Sequence, residues 1–141
     1  MADTISGQGS EIREFAQQWF DLLSRHDPVE DLLPLVVDEG LEMAFPERTL
    51  RSHADFRDWY TVVGEAFDDQ SHVLEQFTAR EQDGRVDIEL TVVWAAKHLA
   101  EGTRAAFRVQ QSWQLTREPA TGALRISHYQ VGTLTPVPDA A

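Results

Sequence analysis

Residues 85–96 alternate between apolar and other side chains along most of their length, and this alternation constrains the fold more than any other feature. The alternating apolar positions are Val86, Ile88, Leu90, Val92, Trp94 and Ala96. A period of two residues is typical of a β-strand with one apolar face, because successive side chains of a strand point to opposite sides. The pattern therefore predicts a long strand with one apolar face.

A second strand is predicted over residues 105–115, after a short turn at residues 99–102. If His98 pairs with Thr103 across this turn, the opposed pairs are Trp94 with Phe107, Val92 with Val109, Leu90 with Gln111, and Ile88 with Trp113. Directly opposed residues share a face of an antiparallel pair. Every partner on this face is apolar except Gln111, and we interpret the sheet as a pocket wall built around that glutamine.

The length and charge of the chain indicate one globular domain. The sequence has 141 residues, which suits a single domain over residues 10–134, with flexible tails at residues 1–9 and 135–141. Its formal charge is −12, from 24 acidic against 12 basic residues that are scattered along the chain. Binding to a phosphate backbone requires a basic face. No nucleic-acid partner is therefore expected.

Several further classes are excluded by what the sequence lacks. No apolar run has the length of a membrane span, and the N-terminus lacks the order of a signal peptide, so we expect a cytoplasmic protein without membrane contact. The absence of cysteine excludes disulfides, thiol catalysis and thiolate metal sites. No two histidines have helical ligand spacing, so neither a metal nor another cofactor is expected.

The order of predicted elements indicates an α+β fold. Ser10 can cap a helix over residues 11–25, Asp27 and Pro28 can start a short second helix, and Ser52 can cap a third. The apolar face of the third helix consists of Phe56, Trp59, Tyr60, Val63 and Phe67. The predicted strands cover residues 36–45, 71–80, 85–98, 103–117 and 123–133, with a crossing loop at residues 47–51. Three helices over one face of a curled antiparallel sheet would enclose an apolar cavity for a small molecule.

In this order of elements the chain resembles the SnoaL-like branch of the nuclear transport factor 2-like (NTF2-like) superfamily, which includes ketosteroid isomerase and scytalone dehydratase. Three short segments carry the resemblance: His26-Asp27-Pro28 after the first helix, Val37-Asp38-Glu39-Gly40 at the first strand, and Gln70-Ser71-His72-Val73 at the start of the meander. The resemblance implies a conical, cystatin-like α+β barrel with the active site inside the cone. It also implies a homodimer formed through the outer face of the sheet.

The functional residues of these relatives carry over only in part. The resemblance places Trp19 and Gln111 where ketosteroid isomerase has its two oxyanion donors, whereas the position of the base falls at Ala44 or Phe45, which cannot accept a proton. Steroid-type chemistry is therefore expected to be lost. His72 matches the histidine of the dehydratase-like members.

The partner residues of that histidine do not match. The tyrosine–aspartate pair of the dehydratase-like members corresponds to Leu23 and Ser24 in this chain. Half of the dehydratase machinery is therefore missing from the sequence.

The face on which His72 lies depends on the turn at Asp83-Gly84. A two-residue turn would pair Gln82 with Arg85 and place His72 opposite Ala95, on the outside. A three-residue turn with a glycine bulge would pair Glu81 with Arg85 and place His72 opposite Trp94, on the inside. The sequence alone leaves both alternatives open.

The remaining candidates for ligand contact follow from the predicted inner face. They are Gln111, Trp19, Trp94, Trp113, Tyr60, Val109, and either His128 or Tyr129. Leu124 and Ile126 favour His128 by alternation along the last strand, whereas the resemblance favours Tyr129. His26, His53 and His98 lie near element ends and are expected to meet solvent.

Two classes of function fit these features. One is a cofactor-free isomerase, cyclase or dehydratase that uses His72 as its catalytic proton carrier on a small apolar oxygenated substrate. The other is a dimeric ligand-binding or accessory protein that has kept the cone and lost the catalytic base. In both, the outer sheet face is expected to form the dimer. Its residues are Thr91, Val93, Ala95, Ala106, Arg108 and Gln110.

Overall fold

The computed structural model describes the backbone of residues 2–46 and 48–137, and within those ranges the side chains from residue 11 onward. The helices are α1 (Ala2–Arg25), α2 (Val29–Leu32) and α3 (His53–Ala66), and a 3-10 turn at Leu33–Leu35 extends α2. The strands are β1 (Glu42–Ala44), β2 (Thr49–Leu50), β3 (Phe67–Gln82), β4 (Arg85–His98), β5 (Thr103–Arg117) and β6 (Leu124–Val137). No helix in the described part of the chain is long and apolar enough to cross a membrane.

The strands form one curled sheet in the order β2-β1-β6-β5-β4-β3. Strands β3 to β6 form an antiparallel meander, and β1 joins β6 in parallel as an addition to the predicted antiparallel sheet. The β4–β5 ladder is unbroken and contains every pair expected from the sequence, from His98–Thr103 to Ile88–Trp113. The predicted α+β class, with three helices against a curled sheet, is confirmed.

The core lies between the helices and the inner face of the sheet. Its largest fully buried side chains include Trp19 and Phe20 from α1, Phe56 from α3 and Trp113 from β5. Helix α3 begins as predicted, because the Ser52 hydroxyl accepts a hydrogen bond from the backbone N–H of Asp55. The face of β5 assigned to the core is thus the buried one.

The two other predicted helix starts differ from the structure. Helix α1 already begins at Ala2, so Ser10 lies within it rather than at its start. At α2, Pro28 occupies the N-cap position, and no side chain caps the helix. Asp27 lies one residue before this position, and its carboxylate accepts hydrogen bonds from Arg25 at 2.8 and 3.0 Å.

The first predicted strand is mostly irregular. Only Glu42–Ala44 forms a strand, Val36 makes a single parallel bridge to Ile126, and the chain between them turns at Gly40, whose φ is +81°. The expected crossing loop contains the short edge strand β2. Glycine at a positive φ explains the interruption.

The boundaries of two further elements differ from the predicted ones. Phe67 begins β3 instead of closing α3. Strand β6 continues to Val137, so residues 135–137, predicted as part of a flexible tail, pair with β5. Met1 and residues 138–141 lie outside the described residues, so the rest of the predicted tails is not tested.

A cluster of charges ties α1 to the far end of the sheet. The guanidinium of Arg117 binds Glu81 of β3 and, at 3.0 Å, Glu11 of α1, and it also donates to the carbonyl of Gly122. These bonds to carboxylates raise the pKa of Arg117 above its ordinary value. The cluster closes the sheet end opposite the cavity described below.

Trp113→Ala tests the assignment of the inner face. Because the Trp113 side chain is only 1% exposed, its removal is expected to lower the free energy of unfolding by about 3–5 kcal/mol, measured by urea denaturation. The control is Glu65→Ala, at an exposed position of α3, which should change stability by less than about 0.5 kcal/mol. A loss below roughly 1 kcal/mol for Trp113→Ala would contradict its place in the core.

Candidate functional site

A cavity of about 340 Å³ opens between the inner face of the sheet, the end of α1 and one side of α3. Its lining residues are Leu23, His26, Phe45, Pro46, Trp59, Tyr60, Val63, Phe67, Gln70, His72, Val92, Trp94, Val109, Gln111, Tyr129, Val131 and Leu134. Six of the candidates named from the sequence line it: Tyr60, His72, Trp94, Val109, Gln111 and Tyr129. Trp19 and Trp113 do not line it and instead pack behind Tyr129, with ring centroids 5.9 and 4.9 Å from its ring.

His72 reaches the cavity through a combination that neither sequence alternative contained. The turn has two residues, since Gln82 pairs with Arg85, and this register alone would turn His72 outward. A bulge between Leu74 and Gln76 then shifts the pairing by one residue and places His72 opposite Trp94. His72 therefore has the partner and the face that the three-residue turn predicted, although the turn itself has two residues and the bulge causes the shift.

The surroundings of His72 keep its imidazole neutral. Its Nδ1 atom lies 3.0 Å from the Ser24 hydroxyl of α1, and its ring stacks on Phe20 with centroids 5.6 Å apart. Burial lowers the pKa of His72 to about 3. Because Nδ1 is engaged by Ser24, Nε2 is the nitrogen available to a ligand.

A second bulge decides between His128 and Tyr129. Leu115 pairs with Ile126 and Gln114 pairs with His128, so Ser127 is an extra residue in β6. After Ser127, the residue on the inner face is Tyr129, which is 3% exposed. His128 is exposed, and its ring contacts the Ser127 hydroxyl. The inference of His128 from alternation is therefore wrong, because the alternation does not continue through the bulge.

Tyr129 and Gln111 belong to one buried network of hydrogen bonds. The indole N–H of Trp19 donates to the Tyr129 hydroxyl at 3.4 Å, and the indole N–H of Trp113 donates to the Gln111 carbonyl at 2.9 Å. Burial raises the pKa of Tyr129, while hydrogen bonds with Trp19 and Gln111 act in the opposite direction. Tyr129 is therefore a protonated phenol at neutral pH, and its O–H can be donated to a ligand.

Among the lining residues that the sequence analysis did not propose as ligand contacts, Gln70 and His26 carry an amide and an imidazole. Gln70 lies two residues before His72 on the same strand and accepts a 3.0 Å hydrogen bond from the indole N–H of Trp94. Its spacing of two residues from His72, which places two side chains on the same face of a strand, was the sequence signal that could have identified Gln70. His26, expected to meet solvent, lines the cavity instead.

The position of His26 depends on contacts that no local sequence pattern shows. Its ring stacks on Tyr60 with centroids 4.0 Å apart and planes 5° apart, and burial lowers its pKa. Its backbone has φ of +50°. A Cβ atom at Gly64 would lie only 2.4 Å from its Nε2, so the absence of a side chain at Gly64 makes room for the imidazole.

Outside the cavity, the histidines and acidic residues that the structure describes form no metal-ligand cluster. His53 is also less exposed than expected, since its Nε2 lies 2.8 Å from the backbone carbonyl of Val36. Among the residues that the structure describes, no three histidine, aspartate or glutamate side chains come together as metal ligands do.

The sequence matches no protein-family model and no curated protein. Solved structures do match it. An NTF2-like superfamily protein from Salmonella enterica superposes with a TM-score of 0.83 and 15% identity, over 97% of this chain and 96% of the other. The chain has the NTF2-like fold. The resemblance noted in the sequence is thus confirmed at the level of the fold.

Two further structures show the range of proteins with the NTF2-like fold. A candidate scytalone dehydratase from Novosphingobium aromaticivorans has a TM-score of 0.83 at 15% identity, over 100% of this chain and 95% of the other. The hexachlorocyclohexane dehydrochlorinase LinA-type3 from Novosphingobium barchaimii has a TM-score of 0.79 at 13% identity, over 96% and 93%. At these identities the likeness concerns the fold alone.

Ser24→Asp tests the electrostatics around His72. A carboxylate at this position would lie beside Nδ1 and favour the imidazolium, so the pKa of His72 should rise by about 1–3 units above that of the wild type. The measurement is an NMR titration of the imidazole resonances, with Ser24→Asn as a control of similar size without charge. A pKa unchanged by Ser24→Asp would contradict the contact between residues 24 and 72.

Proposed function

We propose that the protein is a cofactor-free enzyme that isomerises, cyclises or dehydrates a small apolar oxygenated molecule by proton transfer. The observation that carries this proposal is the placement of His72 and Tyr129 on the walls of one apolar cavity. Tyr129 holds a proton that it can donate, and His72 is neutral and has a nitrogen available to a ligand. A proton acceptor and a hydrogen-bond donor can thus face the same ligand.

The roles of the two residues follow from their surroundings. In the tautomer whose Nδ1–H donates to the Ser24 hydroxyl, Nε2 of His72 is unprotonated and would take a proton from a carbon beside a carbonyl group. The electron pair of the broken C–H bond would move to the carbonyl oxygen. The Tyr129 hydroxyl would donate a hydrogen bond to that oxygen as it gains charge, supported by the amide of Gln111. Return of the proton to another atom of the same molecule completes an isomerisation and leaves the enzyme unchanged.

The low pKa of His72 sets a condition on this chemistry. An imidazole with a pKa of about 3 binds a proton weakly, so transfer from carbon is uphill in the empty cavity. Negative charge that develops on the substrate beside the ring would raise this pKa during the reaction. We therefore infer that His72 holds the proton only briefly and returns it quickly.

A second candidate function is a binding protein without catalysis. It is favoured by Ser24, which stands beside His72 where the dehydratase-like members have an aspartate, and by the low pKa that results from burial without a charged partner. In this case the cavity would hold the ligand by packing and hydrogen bonds alone. His72 would then contribute only to ligand binding.

Exchange of carbon-bound protons separates the two functions. With 1-tetralone in D₂O, the wild-type protein should accelerate deuterium uptake beside the carbonyl, followed by ¹H NMR. His72→Ala should abolish the acceleration, and Tyr129→Phe should lower it by on the order of 10²–10³. His128→Ala is the control, since His128 is exposed and lies on the other face of β6.

The outcomes of this experiment are distinct. Acceleration that depends on His72 supports the enzyme. Binding of 1-tetralone without faster exchange in the wild type than in His72→Ala would contradict the enzyme and support the binding protein.

We also propose that the protein forms a homodimer through the outer face of the sheet. This face carries Val73, which is 58% exposed, and a shallow polar depression of about 430 Å³ whose outward-facing residues include Gln76, Gln110 and Gln130. Three residues expected to contact a partner, Thr91, Ala95 and Ala106, are already buried within the single chain. The exposed members of the face would therefore make the contact.

Sedimentation velocity tests the dimer. At micromolar concentration the wild type should sediment as a dimer, and Val73→Glu should shift it toward the monomer by placing a charge in the interface. Val62→Glu, an equally exposed apolar position on α3, is the matched control and should remain dimeric. A wild type that sediments as a monomer would overturn the proposal.

A further inference from the structure

Three polar side chains of the cavity wall each accept a hydrogen bond from a different tryptophan. The indole N–H of Trp94 donates to the Gln70 carbonyl at 3.0 Å, that of Trp113 to the Gln111 carbonyl at 2.9 Å, and that of Trp19 to the Tyr129 hydroxyl at 3.4 Å. Gln70, Gln111 and Tyr129 all line the cavity. The same arrangement therefore occurs three times around one space.

The chemistry of the indole group fixes the direction of these hydrogen bonds. An indole N–H is a donor only, so its partner must present an oxygen. This assigns the carbonyl oxygens of Gln70 and Gln111 to the tryptophans and turns their NH₂ groups away from the indoles. The NH₂ group of Gln111 also donates to the Tyr129 hydroxyl, which leaves one of its two hydrogens for a ligand. At Tyr129 the hydroxyl oxygen is the acceptor, so its proton is left for another partner.

The cavity also lacks side chains that are charged at neutral pH, since burial lowers the pKa of its two histidines, His26 and His72. Among the described residues that line it there is no aspartate, glutamate, lysine or arginine, although the whole chain has a formal charge of −12. Transfer of an ion from water into such a space is costly when no opposite charge meets it. A ligand without charge avoids this cost.

We propose that the three tryptophans make the cavity selective for an uncharged ligand that offers hydrogen-bond acceptors, such as carbonyl oxygens, at Gln70, Gln111 and Tyr129. A ligand that presents N–H or O–H groups at these places would meet donors and leave its own donor unpaired, which destabilises the complex. The inference rests on the proposed function only in taking this cavity as the binding site. It names the class of ligand whether or not the protein is catalytic.

Three tricyclic probes of nearly equal shape test this selectivity. 9-Fluorenone carries an acceptor carbonyl, carbazole a donor N–H, and fluorene neither at the same bridging position. Calorimetric titration of the wild type should give tighter binding of fluorenone than of fluorene by about 5- to 10-fold, as one neutral hydrogen bond provides. Carbazole should bind more weakly than fluorenone by at least that ratio.

A variant separates the role of the tryptophans from that of the cavity shape. In Trp94→Phe the Gln70 amide is free to turn and present its oxygen, so the ratio of fluorenone to carbazole affinity should fall several-fold. Val131→Ala removes only apolar contact from the same wall and should weaken the three probes alike. A lower ratio in Trp94→Phe with an unchanged ratio in Val131→Ala supports the proposal.

The results that would overturn this inference differ from the results that would overturn the proposed enzyme. If carbazole binds the wild type as tightly as fluorenone does, the inference is overturned. The result of the 1-tetralone exchange experiment, which tests the enzyme, is not affected. If none of the probes binds, both the inference and the use of the cavity as a binding site are overturned. Selective binding of fluorenone without proton exchange would contradict the enzyme alone.

Discussion

The unbroken pairing of β4 with β5 is the interaction on which the rest of the structure depends. From Arg85–Thr116 to His98–Thr103 the ladder contains no bulge, so the two strands share one continuous inner face. Both neighbouring strands contain bulges against this ladder, β3 between Leu74 and Gln76 and β6 at Ser127. A bulge bends its strand and moves the following side chains to the other face. These two bulges therefore decide that His72 of β3 and Tyr129 of β6 lie on the inner face.

Those bulges separate what the sequence could predict from what it could not. Strands β4 and β5 were predictable to the residue, because alternation over a long stretch and a short turn leave only one register that buries the apolar side chains. His72 and Tyr129 lie beyond a bulge, where alternation no longer reports the face. Nothing local in the sequence marks Glu75 or Ser127 as an extra residue, and only the pairing with the neighbouring strand shows the bulges.

Parts of the fold held by tertiary contact were also beyond the sequence. Residues 36–45 read as a strand, yet only the pairing with β6 decides which of them are paired, and Gly40 interrupts the run. His26 looked exposed because the space that receives its ring is made by Gly64, far along the chain. In the pairing of residues 36–45 and at His26, a weak local preference was overruled by a contact with a distant residue.

The site itself is organised without formal charges. Ser24, not a carboxylate, meets His72, and indole groups rather than arginine or lysine orient Gln70, Gln111 and Tyr129. Neutral hydrogen bonds can be buried at far lower cost than ions, which is consistent with a wall that consists mainly of aromatic and aliphatic side chains.

Because Trp19 and Trp113 are also among the largest side chains of the core, the residues that stabilise the fold are the ones that set the polarity of the cavity. A change of ligand class would therefore require repacking of the core as well as new groups in the wall. Only Trp94, which is half-buried, can be replaced with less effect on stability. For this reason the comparison at Trp94 separates the selectivity of the cavity from the stability of the fold.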